Sequence, residues 1–398
     1  MKGPAQSTIY TEDSAAGEQK LKLLTYNIDG NLERDLQYRT ECMLALILSE
    51  EGAFDVVHLQ EVVQDTAELI ICSMESGGYR SFHPQNLASL GRYFTLTFLR
   101  NTPGVVLSTF ERRSFQGAAL SSLGRDMLLL RVRVRGADWL VANCHLESLK
   151  DPPERIATRK AQLQEVLGEL VLHTEGTGPA VLAGDLNIRA PEAKSVLNAI
   201  NPKKLTQAQS KKQAQSQVQP QVSPVRMIDA ADFIEPGFAG GRTWCPPLTE
   251  GQPAPQYMNI RFDRVYYTDS FCCSSSGTST SSSGNSGSSS GGSSSGSGAR
   301  QGRFRVRAVE YKLIGGEDIE WGPTDTEWRS YNTPSDHRGI VTVLRFETPH
   351  AYSDTGTVDT AGPFSGQHVT TVEDSDDEPE PPAHNAVAIG ARAAGMGT

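Results

Sequence analysis

Asp185, Asn187 and Arg189 follow the apolar run "AVLAG" (180–184) at alternate positions, so an acid, an amide and a guanidinium succeed what reads as a buried strand. Side chains two apart on an extended chain share a face. Other segments repeat the pattern. "LLTYNIDG" ends in Asn27 and Asp29, "VVHLQEV" in Glu61, and "LVANCHLES" in His145, Glu147 and Ser148. "IRFDRVYY" carries Asp263 inside a strand, and "TPSDHRG" sets Asp336 and His337 just before one. Ligands bind outside strand ends in α/β sheets. The chemistry that uses this set is hydrolysis of a phosphate ester. It needs a cation on the phosphoryl oxygens, a held water, and donors aimed at the developing charge. Glu61 suits magnesium, which prefers oxygen ligands and is held by one or two carboxylates. Asp185 can accept a proton from water while Asn187 orients it. His145, His337 and Arg189 can donate to phosphate oxygens. A carboxylate behind an imidazole fixes its tautomer and favours its charged form, a part open to Asp263 or Asp336.

The elements that must position these groups alternate between strand and helix. "KLLTYN" (22–27) and "FDVVHLQ" (54–60) read as strands around a helix at 34–50, with Leu36, Met43, Leu44 and Ile47 on one face. "MLLLRVRVR" (127–135) and "DWLVANC" (138–144) form a hairpin across Gly136-Ala137. Residues 154–172 place Ile156, Leu163, Val166, Leu167 and Leu170 at helical spacing behind a Pro pair. "IRFDRVYY" (260–267), "RFRVRAVEY" (303–311) and "RGIVTVL" (338–344) complete the set. Hairpins beside strand–helix units imply mixed sheets packed face to face with helices outside.

Residues 1–20 read as a disordered tail, and 21–347 as one catalytic domain with low-complexity inserts at about 203–224 (Gln, Lys, Ser) and 273–300 (Ser, Gly). The 348–398 segment reads as an acidic disordered tail. From Ala351 it holds eight acids against Arg392 alone, and so carries −7 of the formal −10. With that charge set aside, the acidic balance does not oppose a nucleic-acid substrate. Six cysteines without a CxxC pair, no signal peptide and no long apolar run point to reduced thiols in an intracellular soluble protein that meets no membrane.

"TYNIDG", "LQEV", "CHLES", "GDLNIR", "TW", "RFDR" and "PSDH", in that order from about Leu21 to Phe346, resemble the endonuclease/exonuclease/phosphatase superfamily. "NIDG", "HLES" and "GD-N-R" point within it to the branch that hydrolyses tyrosyl-DNA esters. The resemblance implies a deoxyribonuclease-I-like four-layer α/β sandwich of two mixed sheets flanked by helices. It implies that Glu61 binds Mg2+ (or Mn2+), with Asn27 and Asp29 beside it and Asp336 near the metal. Asp185 would be the general base, assisted by Asn187, and His337, held by Asp263, would stabilise the transition state. His145, Ser148 and Arg189 would contact the 5′ phosphate, and Trp244 would line the DNA groove. The implied substrate is a DNA 5′ end carrying a tyrosyl adduct left by a trapped topoisomerase. The implied setting is DNA repair in the nucleus by a monomer, with the acidic tail open to a protein partner. The sequence departs from the family pattern at Tyr26 and Arg338, where Trp is usual, and at Ala190, where Asp is usual.

Taken singly, each residue has a plainer role. Glu61 can begin a helix, Asn27–Gly30 can be a turn, Asp185 and Asn187 can cap the following helix, and His145 and Trp244 can be core. Arg131, Arg133 and Arg135 share a strand face that reads as solvated. Other substrates of the superfamily stay open: abasic DNA, poly(A) RNA, and inositol or lipid phosphates. So does an idle scaffold. The ordered recurrence of the whole set favours catalysis.

Overall fold

In the computed structural model, residues 19–33, 35–49, 53–83, 87, 92–148, 153–176, 178–201, 225–234, 243–244, 260–272, 303–315 and 334–347 are described. They lie within the unit Met1–His350. The expected N-terminal tail up to residue 18, both inserts and the acidic tail lie outside the described residues.

In chain order the strands are β1 (Lys20–Asn27), β2 (Val56–Val63), β3 (Tyr79–Phe82), β4 (Tyr93–Arg100), β5 (Val105–Ser114), β6 (Asp126–Val134), β7 (Ala137–His145), β8 (Ala180–Asp185), β9 (Met227–Asp229), β10 (Asp263–Thr268), β11 (Ser270–Cys272), β12 (Arg303–Ile314) and β13 (Gly339–Glu347). The helices are α1 (Leu36–Leu48), α2 (Gln64–Ser76), α3 (Glu154–Gly176), α4 (Ala190–Ile200) and α5 (Ala230–Ile234). One sheet runs β11-β12-β13-β1-β2-β4-β3 and the other β5-β6-β7-β8-β10-β9. Both are mixed, because β1–β2 and β7–β8 pair in parallel among antiparallel neighbours.

Alternation along the central strands sorts side chains into three apolar layers. Leu21, Leu23, Val56, Val141, Val181, Ala183 and Val265 meet between the sheets. The intervening Leu24, Val57 and Leu59 pack on Met43, Leu44 and Ile47 of α1 and Ile70 and Met74 of α2. On the far side Leu140, Ala142 and Leu182 pack on Leu163, Val166, Leu167 and Leu170 of α3. Helix, sheet, sheet, helix is the expected four-layer sandwich. Near 25 cal/mol per Å² of apolar surface, these layers are the main stabilising term.

Local departures from the sequence reading are instructive. The β6–β7 turn is Arg135-Gly136, both at positive φ (46° and 87°), so Ala137 already belongs to β7 and pairs with Val134. That is the two-residue hairpin geometry in which both central residues need φ above zero. The expected strand at 260–267 begins only at Asp263, which makes this acid a strand-start residue. The solvated reading of the arginines holds. Arg131 contacts the His173 ring, Arg133 pairs with Asp138 at 2.9 Å and Arg135 with Asp55 at 2.7 Å.

Candidate active site

The inter-sheet face of each central strand changes chemistry at one end. Along β1 the inward series Leu21-Leu23-Thr25 finishes in Asn27. Along β7 Val141-Asn143 finishes in His145, and along β8 Val181-Ala183 finishes in Asp185. β10 opens with Asp263 before Val265. Register then aligns them, since His145 and Asp263 both stand opposite Asp185. The first sheet supplies the rest. His337 arrives just before β13, bridged to Trp244. Glu61 would follow Leu59 toward the helix layer under strict alternation. Instead β2 carries a bulge between Leu59 and Val62, and Glu61 sits at φ 56°. A bulge of this kind re-aims a side chain. Here it brings the Glu61 carboxylate to Asn27.

Asn27 is the hub. Its Oδ1 accepts from the Asp29 backbone N–H at 3.0 Å, which fixes the amide orientation. Its Nδ2 therefore donates to Asp185 Oδ2 at 2.9 Å and Glu61 Oε1 at 3.3 Å. Asn31 Nδ2 donates to the other Glu61 oxygen at 2.6 Å. Asp185 Oδ1 accepts from the Asn187 backbone N–H at 2.9 Å. His145 Nε2 stands 3.4 Å from Asp185 Oδ2 and 3.6 Å from Glu61 Oε1. His337 Nε2 stands 3.9 Å from Asp185 Oδ2 and 3.8 Å from Asp336 Oδ1. At its other nitrogen, His337 Nδ1 bonds Asp263 Oδ2 at 2.7 Å.

The two histidines carry opposite charge states. Arg125 NH1 lies 2.8 Å from His145 Nδ1. A guanidinium only donates, so Nδ1 accepts and the proton of the neutral ring sits on Nε2, facing Asp185 and Glu61. Burial, then the positive charges of Arg125 and His337, hold the His145 pKa well below the ordinary histidine value. Burial opposes charge on His337 too, but Asp263, Asp336 and Asp185 outweigh it and raise its pKa well above that value. Burial is also the first cause that lifts Asp185 from 3.8 to about 7, with His337 opposing and the carboxylates of Asp263 and Glu61 adding to the rise. A buried acid near neutrality, ringed by donors, is poised to exchange a proton at physiological pH.

Ligand atoms of Glu61, His145 and Asp185 lie within 4.8 Å of one another, as do those of Asp185, Asp263 and His337. His145 donates from Nε2 and His337 is cationic, so both rings are donors in these states. The carboxylate oxygens of Glu61, Asp185 and Asp263 are the acceptors in these groups that could take a metal ion. Carboxylate oxygens fit a hard divalent cation. Asp29 and Asp336 fall in neither group. The Asp29 carboxylate faces Arg39 at 3.9 Å, and Asp336 Oδ2 accepts from Trp244 Nε1 at 3.0 Å.

The remaining expected residues form a rim. Asn187 sits at φ 51°, which breaks the shared face read from the sequence, and its Nδ2 donates to the Leu146 carbonyl at 3.3 Å. The helix after it is capped at Arg189, so neither Asp185 nor Asn187 serves as cap. Arg189 stacks over Phe262 at 5.8 Å, and Phe262 lies 5.6 Å from Trp244. Ser148 Oγ accepts from Arg125 NH2 at 3.4 Å. Sequence reasoning missed Arg125 and Tyr93, whose ring carries the Arg125 guanidinium at 4.6 Å and lies 5.7 Å from that of His145. It also missed the buried role of Glu147, which accepts from the Ser121 and Ser122 hydroxyls and so ties that loop to the end of β7. No local signal marks Arg125. It stands immediately before β6, 20 residues ahead of its histidine.

The model of the Endonuclease/Exonuclease/phosphatase family matches residues 24–337. Tyrosyl-DNA phosphodiesterase 2 of Gallus gallus is 32% identical over 172 residues, 43% of this chain and 42% of the relative. Its Xenopus tropicalis counterpart is 24% identical over 266 residues, 66% of this chain and 59% of the relative. The chain thus spans well under two thirds of the length of these relatives. A crystal structure of D. rerio TDP2 complexed with single strand DNA product superposes with TM-score 0.54 at 19% identity, covering 82% of this chain and 99% of that one. That likeness establishes the fold.

Proposed function

The chain belongs to the endonuclease/exonuclease/phosphatase family, and from that premise we propose that it is a magnesium-dependent 5′-tyrosyl-DNA phosphodiesterase acting in DNA repair. The observation that carries the reading is the convergence on one buried oxygen, Asp185 Oδ2, of the donors Asn27 at 2.9 Å, His145 at 3.4 Å and His337 at 3.9 Å. The relatives that are 32% and 24% identical to parts of it bear the name tyrosyl-DNA phosphodiesterase 2, which supports the choice of ester.

Glu61 would hold the cation, with Asp29 and Asp336 beside it. Bound there, magnesium supplies neutralisation of charge on the phosphoryl oxygens. The protein's own groups do the rest. Water attacks phosphorus, the bond from phosphorus to the tyrosyl oxygen breaks, the water's proton passes to Asp185, and the departing phenolate takes a proton from solvent. The Nε2–H of neutral His145 and that of cationic His337 donate to the oxygens on which charge accumulates. Asp263 keeps the second ring charged and oriented. Asn187 fixes one Asp185 oxygen so that the other faces the water. Arg189, Phe262 and Trp244 offer a charge and two aromatic faces to the DNA end, with Ser148 and Arg125 beside the 5′ phosphate. The products are a 5′-phosphorylated strand and free tyrosine.

Release of 5′-phosphate from a tyrosyl-capped oligonucleotide tests this, run beside abasic DNA, poly(A) RNA and phosphoinositides. The tyrosyl substrate is expected to turn over fastest, with activity abolished by EDTA and by Glu61→Ala or Asp185→Ala. A preference for one of the other substrates, or activity that survives these changes, would overturn the assignment; no turnover on any of them would leave the scaffold reading. Work on DNA ends implies a nuclear address, which fractionation of cells would contradict if the protein were excluded from nuclei.

A further inference from the structure

Arg39 belongs to none of the roles above. It lies in the first turns of α1 with its side chain 1% exposed, which is rare for a charged residue unless every donor finds work. Its Nη2 donates to the carbonyls of Leu32 at 2.7 Å and Asp29 at 3.1 Å. Its Nη1 donates to the carbonyls of Pro334 at 3.1 Å and, more weakly, Ile28 at 3.5 Å. The first group of acceptors belongs to the loop that carries Asn27 and Asp29. Pro334, 295 residues along the chain, lies two residues before Asp336 in the segment that carries His337.

We propose that Arg39 is a positioning residue that locks these two loops to each other and thereby sets the spacing between Asn27–Asp29 and Asp336–His337. This rests on the phosphodiesterase reading for its catalytic consequence only. The lock has a second stage. Ser335, next to Pro334, donates its hydroxyl to Asn27 O at 2.8 Å and accepts from the His337 backbone N–H at 3.1 Å. A displacement of Pro334 is thus passed to both His337 and Asn27. The base of the arm is rigid, since Met43, Leu44 and Ile47 fix α1 to the first sheet. Arginine is required because its planar fork meets several carbonyls at once, whereas an ammonium is a single point donor. These four acceptors are backbone carbonyls, and the Asp29 carboxylate lies farther off, at 3.9 Å. The residue therefore acts through the loops it holds.

Arg39→Lys separates this role from bulk stability. Amide hydrogen exchange in the substrate-free, metal-free protein is expected to quicken by about tenfold or more at Leu32 and at His337 together, with Leu130 and Val141 in the β6–β7 hairpin unchanged. On a tyrosyl oligonucleotide, kcat is expected to fall ~10- to 100-fold, the scale of a displacement near 1 Å, with KM within about threefold. Unchanged exchange at both loops, loosening of one loop alone, or equal acceleration in the hairpin would each overturn the proposal. Arg39→Gln, read the same way, serves if the lysine variant does not fold. Absence of turnover in the unaltered protein would refute the proposed function, and the exchange arm would still decide the coupling.

Discussion

Gly184→Ala is a sharp probe of how the strands hold the chemistry. Gly184 stands opposite Cys144 where β8 and β7 run parallel, one residue before the pair Asp185 and His145. A Cβ built on Gly184 would lie 2.0 Å from the Cys144 carbonyl oxygen, whereas real Cβ atoms essentially never come under 3.0 Å. The obstacle is backbone, so no rotamer relieves it. The two strands must part by about 1 Å at the one place where His145 and Asp185 are aligned. Forcing that much into a packed interior costs roughly 1–3 kcal/mol, with the ladder bonds lost nearby pushing toward the upper end. A misplacement of that size between catalytic groups costs about 100-fold in rate. Urea unfolding followed by circular dichroism and steady-state kinetics on a tyrosyl oligonucleotide report the two effects. Gly168→Ala is the control. This glycine lies in α3 with nothing within 4 Å of the added atom, and alanine there is expected to stabilise by ~0.5–1 kcal/mol. Wild-type stability and rate in Gly184→Ala would refute the close-approach argument, and so would equal outcomes for the two glycines.

Three further outcomes follow from the same geometry. Because the folded Asp185 pKa is raised from 3.8 to about 7, ionising it costs stability as pH rises through that window. Asp185→Asn is therefore expected to stabilise the metal-free protein at pH 8 by about 1–3 kcal/mol while abolishing activity; it removes the buried charge but gives up an acceptor. The gain should vanish toward pH 4, and a gain that is independent of pH in urea titrations would contradict the assignment. Asp263→Asn removes the charge 2.7 Å from His337 Nδ1 while keeping an acceptor there. The pair's stabilisation is full below the ordinary histidine value of 6.5 and is lost as pH rises through the raised folded value. In the variant, kcat should fall by about 100-fold at pH 8, the scale set by an ion pair worth several kcal/mol, and recover partly below pH 6. A loss that is uniform across pH would refute an imidazolium role. Deleting 274–299 leaves Cys273 and Arg300–Gly302 to join Cys272 to Arg303, which already pair across β11 and β12. Shortening such a loop changes closure entropy by only about 1 kcal/mol, so cooperative unfolding is expected to persist; loss of soluble expression would count against this.

Much of this was legible without coordinates, for a local reason. Apolar alternation marks an inward face, and a polar residue that continues the alternation past the last apolar one must sit at that face's edge. Asn27, His145 and Asp185 could be picked out this way. The edge strand β5 was not read, since only Val105 among its ten residues is buried and the pattern is weak. Helix α2, which begins directly after β2, entered the reading only as the option that Glu61 begins a helix. The bulge at Glu61 was absent from it, because a bulge is set by two strands and neither reveals it alone.

What the sequence determined by itself is the inventory: which groups stand at strand ends, and hence the chemistry they can serve. Tertiary structure alone decided how they divide the work. Asp263, 74 residues from His337, accepts a hydrogen bond from its Nδ1–H at 2.7 Å, while the adjacent Asp336 turns to Trp244. Arg125 sets one imidazole neutral, three acids set the other cationic, and Arg39 fastens the loops between them. Charge state and pairing depend on burial and on neighbours within a few ångströms. Those neighbours come from distant parts of the chain, and only the folded chain brings them together.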